Sequence, residues 1–206
     1  MIISPGRVLV VSPHTDDAEV SSGGTISRFL REGREVHVLV LSRASAEDTE
    51  RPLQECHRAL GILGISPANI STRDFPVRHL SEHRQEILDL FVSVKQQLNP
   101  DLVIIPSLND IHQDHQVAAQ EGLRAFKNHA SILCFTYTWN LLTFNTTCFV
   151  EFSEDDLNKK IAAISCYRSQ IKAYMKPEIT RALALAQGVT ISVQYAEAFE
   201  VARLMV

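Results

Sequence analysis

The sequence predicts an α/β fold, a mostly parallel sheet with helices on both faces, built as one domain over residues 1–206. Three observations point there. Short, β-branched apolar runs at 8–11, 36–41 and 102–105 read as buried strands. Between them lie stretches with apolar residues at helical spacing, each ended by a glycine or a proline. The first strand–helix–strand unit takes about thirty residues, enough for a parallel crossover.

In chain order, the strand at 8–11 leads to a helix read from the Gly23–Gly24 pair, with Ile26, Phe29 and Leu30 inward and Gly33 at its stop. The strand at 36–41 follows. Leu53, Cys56, Leu60 and Leu63 suggest a second helix ending near Gly64. A weak strand is expected around 69–75, then a helix over about 81–98 with Ile87, Leu88, Phe91 and Val94 inward. Pro100 breaks the chain before the strand at 102–105, Pro106 closes that strand, and a helix covers about 113–126. After Ser131 the rhythm changes, and 132–139 and 148–152 read as two successive strands. Ser153, followed by Glu154, Asp155 and Asp156, suits a helix N-terminus. That helix is expected to run to about Met175, just before Pro177, and 195–201 is the last strand-like run. No repeat, low-complexity tract or Pro/Gly linker divides the chain.

Composition narrows the function. The chain is 45% hydrophobic and 21% charged, ordinary for a soluble globular protein, and its length is sufficient for a core that needs no staple. A net charge of −4 without a basic stripe argues against nucleic acid and anionic membrane surfaces as partners. The four cysteines are scattered without CxxC spacing, against a disulfide framework or a thiolate metal site. The N-terminus lacks the pattern of a signal peptide and no apolar run approaches 18 residues, so a cytoplasmic protein without a membrane span is expected. A small-molecule site remains.

Two polar clusters follow buried strands, where open α/β sheets bind ligands. The first reads Ser-Pro-His-Thr-Asp-Asp-Ala-Glu over 12–19, and the second Asn-Asp-Ile-His-Gln-Asp-His over 109–115. If the two strands are neighbours, the clusters meet. Catalytic zinc takes three protein ligands, often two histidines and a carboxylate, and keeps a position for water. His14 and Asp17, and His112 and His115, are each three apart at a strand-to-helix turn. The bland alternative is that Asp16, Asp17, Asp110 and Asp114 are helix caps. That suffices for one cluster, less well for two that both carry histidine. The Gly23–Gly24 pair lacks the GxGxxG order, and no acidic residue ends the second strand, which disfavours a dinucleotide site.

The segments VLVVSPHTDDAEVSSGGTI (8–26) and PDLVIIPSLNDIHQDH (100–115) resemble the PIG-L (LmbE-like) family of zinc-dependent N-acetylglucosaminyl deacetylases. ECHRALGILG (55–64), CYRSQ (166–170) and YAEAFEVAR (195–203) extend the resemblance over nearly the whole chain. It implies a Rossmann-like, three-layer α/β/α domain with one zinc ion held by His14, Asp17 and His115, sites that also accept ferrous iron. It implies Asp16 as the general base that activates water. His112 is implied as the residue that stabilises the oxyanion or protonates the leaving amine, with Asp114 orienting its ring. An Asp beside an imidazole favours the charged ring, which suits an oxyanion partner. Glu19, Arg51 and Gln187 are candidate substrate contacts. Arg51 stands one place off the arginine that usually accompanies Glu55. Thr15 and Gln113 replace frequent prolines, and Gln187 and Ser192 replace a common arginine and glycine at the rim.

The implied activity is hydrolysis of an amino sugar's acetamido group in a small-molecule conjugate, giving free amine and acetate. Two alternatives stay open: a metal hydrolase of another amide or O-acyl ester, and a metal-binding protein without turnover. Family members often assemble, so a homo-oligomer is a further expectation, with the apolar stretch 182–186 serving an interface or the core.

Overall fold

The structure is a computed structural model that describes residues 6–43, 50–169 and 172–205. Its strands are β1 (Arg7–Ser12), β2 (Glu35–Val40), β3 (Ile70–Thr72), β4 (Leu102–Pro106), β5 (Ser131–Phe135), β6 (Cys148–Glu151) and β7 (Ala196–Arg203). Its helices are α1 (Asp17–Arg31), α2 (Glu50–Leu63), α3 (Arg84–Leu98), α4 (Gln113–Phe126), α5 (Glu154–Ile164) and α6 (Pro177–Thr190). The strands form one sheet in the order β3-β2-β1-β4-β5-β7-β6. The first five run parallel, and β7 is antiparallel to both β5 and β6.

Alternate residues of each strand face opposite layers. Val8, Val10, Val36, Val38 and Ile104 pack with Ile26 and Phe29 of α1 and Leu60 and Leu63 of α2. Leu9, Val11, Leu39, Val103 and Ile105 pack with Phe91 of α3 and Val117 and Phe126 of α4. β1 and β4 are buried on both faces, which is why they read as unbroken apolar runs. The glycine pair lies inside α1, whose first turn comes six residues earlier than the glycines. A Cβ on Gly24 would sit 2.6 Å from the Phe152 ring, and one on Gly23 2.8 Å from Lys160, so α1 and α5 approach closely only because these side chains are missing. The pair serves packing.

The helix expected from Ser153 to Met175 is shorter than that. It starts as anticipated, with a reciprocal capping box between Ser153 and Asp156, but ends at Ile164. The chain turns there to bury Tyr167, whose hydroxyl lies within hydrogen-bond distance of both the Thr15 carbonyl and Glu19 Oε1 beneath the β1–α1 turn. No glycine or proline announces that break. The stretch 182–186 belongs to α6, a helix for which the sequence reading had no element. Cys56 and Cys134 are buried, Cys148 and Cys166 half-buried, and all four are free thiols. Among the described residues no helix is long and apolar enough to cross a membrane.

Asp156 joins α5 to α1. Its carboxylate accepts from Ser27 Oγ at 2.8 Å, Arg31 Nη2 at 2.9 Å, Ser153 Oγ at 2.7 Å and Ser153 N at 3.0 Å. Burial raises its pKa, but these donors outweigh burial and bring it down to about 2. A depressed carboxylate stabilises the fold above the unfolded-state pKa and loses that contribution as pH falls toward the folded value. Between pH 5 and pH 2 the wild type should lose about 2 kcal/mol through this one group. Urea unfolding at the two pH values checks it. Asp156→Asn should show a smaller acid loss by about that amount, and an unchanged slope would refute the assignment.

Candidate metal centre and active site

β1 and β4 are adjacent and parallel, with Val8 beside Leu102 and Val10 beside Ile104, so the segments after both strands leave the same edge of the sheet. The turn after β1 is organised by its own side chains. Ser12 Oγ donates to the His14 carbonyl at 2.6 Å and accepts the Ala18 amide at 3.1 Å, while the His14 amide donates to Asp17 Oδ2 at 2.7 Å. Asp16 holds the cap position of α1, yet its carboxylate makes no capping bond and instead lines a cavity of about 310 Å³. On α4 the cap is His112, whose Nδ1 accepts the Asp114 amide at 3.2 Å. Neither Asp110 nor Asp114 caps α4, so the helix-capping alternative fails at both turns.

The carboxylate of Asp17 lies between two imidazoles, with Oδ2 at 3.3 Å from His14 Nδ1 and 3.4 Å from His115 Nε2. The far nitrogen of each ring meets a different carboxylate: His14 Nε2 lies 2.9 Å from Asp114 Oδ2, and His115 Nδ1 lies 2.9 Å from Asp110 Oδ2. Tyr137 OH donates to Asp17 Oδ1 at 3.0 Å. Among the described residues, two trios have ligand atoms within 4.8 Å of one another: His14, Asp17 and His115, and His14, His112 and Asp114. In the second trio the Asp114 oxygens already accept the amides of Arg78 at 2.7 Å and Leu80 at 3.3 Å. The first trio offers two imidazoles and a carboxylate, and its rings are oriented through their other nitrogens. That donor set fits a divalent transition-metal ion.

The electrostatics fit as well. Burial lowers the pKa of His14, but Asp114 and Asp17 overcome it and raise the ring to about 9. Burial opposes the charged form of His115 too, and Asp17 and Asp110 bring it to about 10. Asp17 goes the other way: burial would raise it, but His115 and His14 hold it well below the usual carboxylate range. Asp16 is raised, first by burial and then by the neighbouring Asp17 charge. Carboxylates thus surround two imidazoles that attract positive charge, whether as protons or as a cation that replaces them.

His112 and Asp114 relate differently from the expectation. The Asp114 carboxylate does not orient the His112 ring; it holds His14 and the Arg78 and Leu80 amides, and only its backbone N–H touches His112. The pKa of His112 is lowered, by burial and then by the positive fields of His14 and His115, with the opposing Asp114 field smaller. The ring is therefore favoured neutral, where a charged ring was expected. Its Nδ1 accepts from the backbone, which leaves Nε2 as the N–H donor.

The candidate substrate contacts are dispersed. Glu19 is fully buried beneath the turn, against Tyr167, and burial pushes its carboxyl up to about 8. Arg51 lies on α2 in an ion pair with Glu55 at 3.5 Å. Gln187 lines a separate cavity of about 80 Å³ behind the aromatic wall of Tyr137, Trp139 and Tyr174, which the two cavities share. The sequence places Asp110 within its cluster only as a candidate helix cap, with no part in the chemistry. It gives no sign of that aromatic wall, or of Arg78 and Lys172 on the cavity lining. Asp110 was findable as the one carboxylate of its cluster left without a task; the others come from remote segments without a motif.

Residues 9–126, more than half of the chain, match the family profile described as PIG-L, GlcNAc-PI de-N-acetylase. The chain belongs to the PIG-L family. Both polar clusters lie inside the matched span. Among curated proteins, this PIG-L chain is 29% identical over 133 residues to a diacetylchitobiose deacetylase of Thermococcus kodakarensis, covering 58% of the chain and 48% of that protein. It thus spans about half the length of that relative. Among solved structures, the N,N′-diacetylchitobiose deacetylase of Pyrococcus horikoshii superposes with a TM-score of 0.78 at 21% identity, over 96% of this chain and 84% of that one. GalB, the 4-carboxy-2-hydroxymuconate hydratase of Pseudomonas putida KT2440, superposes with a TM-score of 0.79 at 21% identity, over 97% of both chains. At such identities the two structures establish the shared PIG-L fold, a three-layer α/β/α arrangement, and not a common reaction.

Proposed function

We propose that this chain is a zinc-dependent N-deacetylase that hydrolyses the acetamido group of an amino-sugar conjugate, with His14, Asp17 and His115 as the metal ligands. The observation that carries the reading is the buttressed pair of imidazoles facing Asp17 beside a cavity lined by the uncapped Asp16. A zinc or ferrous ion held there would acidify a water and polarise the acetyl carbonyl. Asp16 takes the proton of the attacking water, and its raised pKa makes it a stronger base than an exposed aspartate. His112 faces the developing oxyanion with its Nε2–H, a donor kept neutral by its surroundings. Attack of the water oxygen forms the C–O bond first and gives the tetrahedral oxyanion; its collapse then breaks the C–N bond as the proton held at Asp16 passes to the departing amine nitrogen. Asp114 acts as a positioning residue through His14, and Asp110 through His115.

The buttresses make a prediction. Asp110→Asn should keep the fold and weaken metal affinity about 10- to 100-fold, as loss of a carboxylate behind a ligating histidine does. Competition against a chelator measures it, and unchanged affinity would remove Asp110 from the centre. The four free thiols support a reducing, cytoplasmic setting. Exposed Ile179, Leu183, Leu185 and Val189 on α6 offer a surface for homo-oligomers.

The decisive assay is acetate release from paired N-acetyl and O-acetyl forms of the same sugar skeletons. Faster release from the N-acetyl members supports the reading. Preference for the ester overturns the bond assignment. Hydration of an unsaturated acid without acetate release would place the chain with the GalB chemistry instead.

A further inference from the structure

Tyr137 lies two residues beyond β5 and so leaves the sheet at the edge where the two metal-centre turns meet. Its ring is buried and lines the cavity. The ring is held from two sides. It stacks on Trp139, with centroids 5.1 Å apart at 6°, and packs against the His115 ring at 5.8 Å and 52°. The hydroxyl reaches across to Asp17, 3.0 Å from Oδ1 and 3.0 Å from the backbone carbonyl. That carbonyl opens α1, where the helix supplies an amide of its own as donor, so the phenol proton belongs to Oδ1.

The two oxygens of Asp17 therefore have different surroundings. Oδ2 faces His14 Nδ1 and His115 Nε2 and accepts the His14 amide at 2.7 Å. Oδ1 is turned to the phenol. The difference matters because a catalytic zinc site combines three protein donors with an open position for water. A carboxylate can give a metal one oxygen or two, and a second oxygen from Asp17 would take the position that water needs. Without the phenol, Oδ1 would not find solvent instead, since Asp17 is buried. An unsatisfied buried carboxylate oxygen is costly, and the cation would be the partner left to it.

We propose that Tyr137 is a positioning residue that holds Asp17 to a single metal-binding oxygen, Oδ2, and so keeps a coordination position open for the attacking water. The inference rests on the ligand set proposed above. It also separates Tyr137 from Asp110 and Asp114. Those carboxylates stand behind imidazoles and strengthen metal binding, whereas the phenol limits what Asp17 gives to the ion.

Tyr137→Phe deletes the hydroxyl and keeps the ring against Trp139 and His115, so the packing of the wall is retained. Crystal structures and chelator competition on the zinc-loaded proteins test the role. The structures should show Oδ2 alone at bonding distance, about 2.0–2.2 Å, in the wild type, and both oxygens bound in Tyr137→Phe. The variant should hold zinc at least as tightly as the wild type, while kcat for acetate release falls about 10- to 100-fold. A merely structural tyrosine behaves otherwise. Its loss would lower the melting temperature and the zinc affinity together and leave Asp17 bound through one oxygen, which would overturn the proposal. An ion held by both oxygens already in the wild type, or undiminished acetate release from Tyr137→Phe, would overturn it too and leave the ligand set standing. An ion bound away from Asp17 in the wild type would refute the ligand set and this inference with it. Coordination is read without turnover, so the change from one oxygen to two in a protein that releases no acetate would refute the deacetylase reading alone.

Discussion

Asp16→Asn should lower kcat for acetate release by about 10²- to 10⁴-fold, the usual worth of a positioned general base, while metal content and thermal unfolding stay near wild type. In barrier terms that is about 3–5 kcal/mol. The separation of effects follows from the geometry. Asp16 caps nothing, so its amide isostere removes no bond that holds α1 in place. It lies next to Asp17 in sequence yet lines the cavity without belonging to either trio of ligand atoms. Raised by burial and by Asp17, it can take a proton at neutral pH and release it again in the same turnover. Steady-state kinetics beside metal analysis of the same sample is sufficient. A variant within tenfold of wild-type kcat would assign the base elsewhere.

The second large effect concerns His115. Its ring is buried between Asp17, at 3.4 Å, and Asp110, at 2.9 Å. His115→Ala removes one of three ligands and leaves two nearly inaccessible carboxylates facing a void. Breaking a buried ion pair on one side costs about 3–5 kcal/mol, beyond the cavity itself. For a chain of this size, the melting temperature of the metal-free protein should fall on the order of 10 °C. Metal affinity should drop below detection in the same variant. His115→Gln, which refills part of the volume and can still donate to Asp110, should recover stability without recovering metal. A stable, metal-replete His115→Ala protein would contradict both the ligand set and the charge balance drawn for it.

The parallel half of the fold was legible because β1 and β4 are buried on both faces and leave uninterrupted apolar runs. Their adjacency, inferred from topology, brings the two polar clusters together. The C-terminal part was less so. The end of α5 depends on Tyr167 reaching across to Thr15 and Glu19, a tertiary contact without a local signal. α6 escaped notice because its first helical residue is Pro177, which reads equally well as a terminator. Within the site, residue types and spacing found the ligand candidates, but not which carboxylate stands behind which imidazole. Asp114 is two residues from His112 and a hundred from His14, yet its carboxylate meets His14, because the β1 and β4 turns face each other. Arg78 and Lys172 reach the cavity from connections far apart in sequence, so neither carries a motif.

The central claim is that a single cation is shared across the two turns. Anomalous diffraction from crystals of the metal-loaded protein tests it most directly. One strong peak per chain is expected, bounded by His14 Nδ1, Asp17 Oδ2 and His115 Nε2, with Asp16 and His112 outside the coordination sphere. A peak between His112 and Asp114 instead, or no ordered metal between residues 14, 17 and 115, would contradict it.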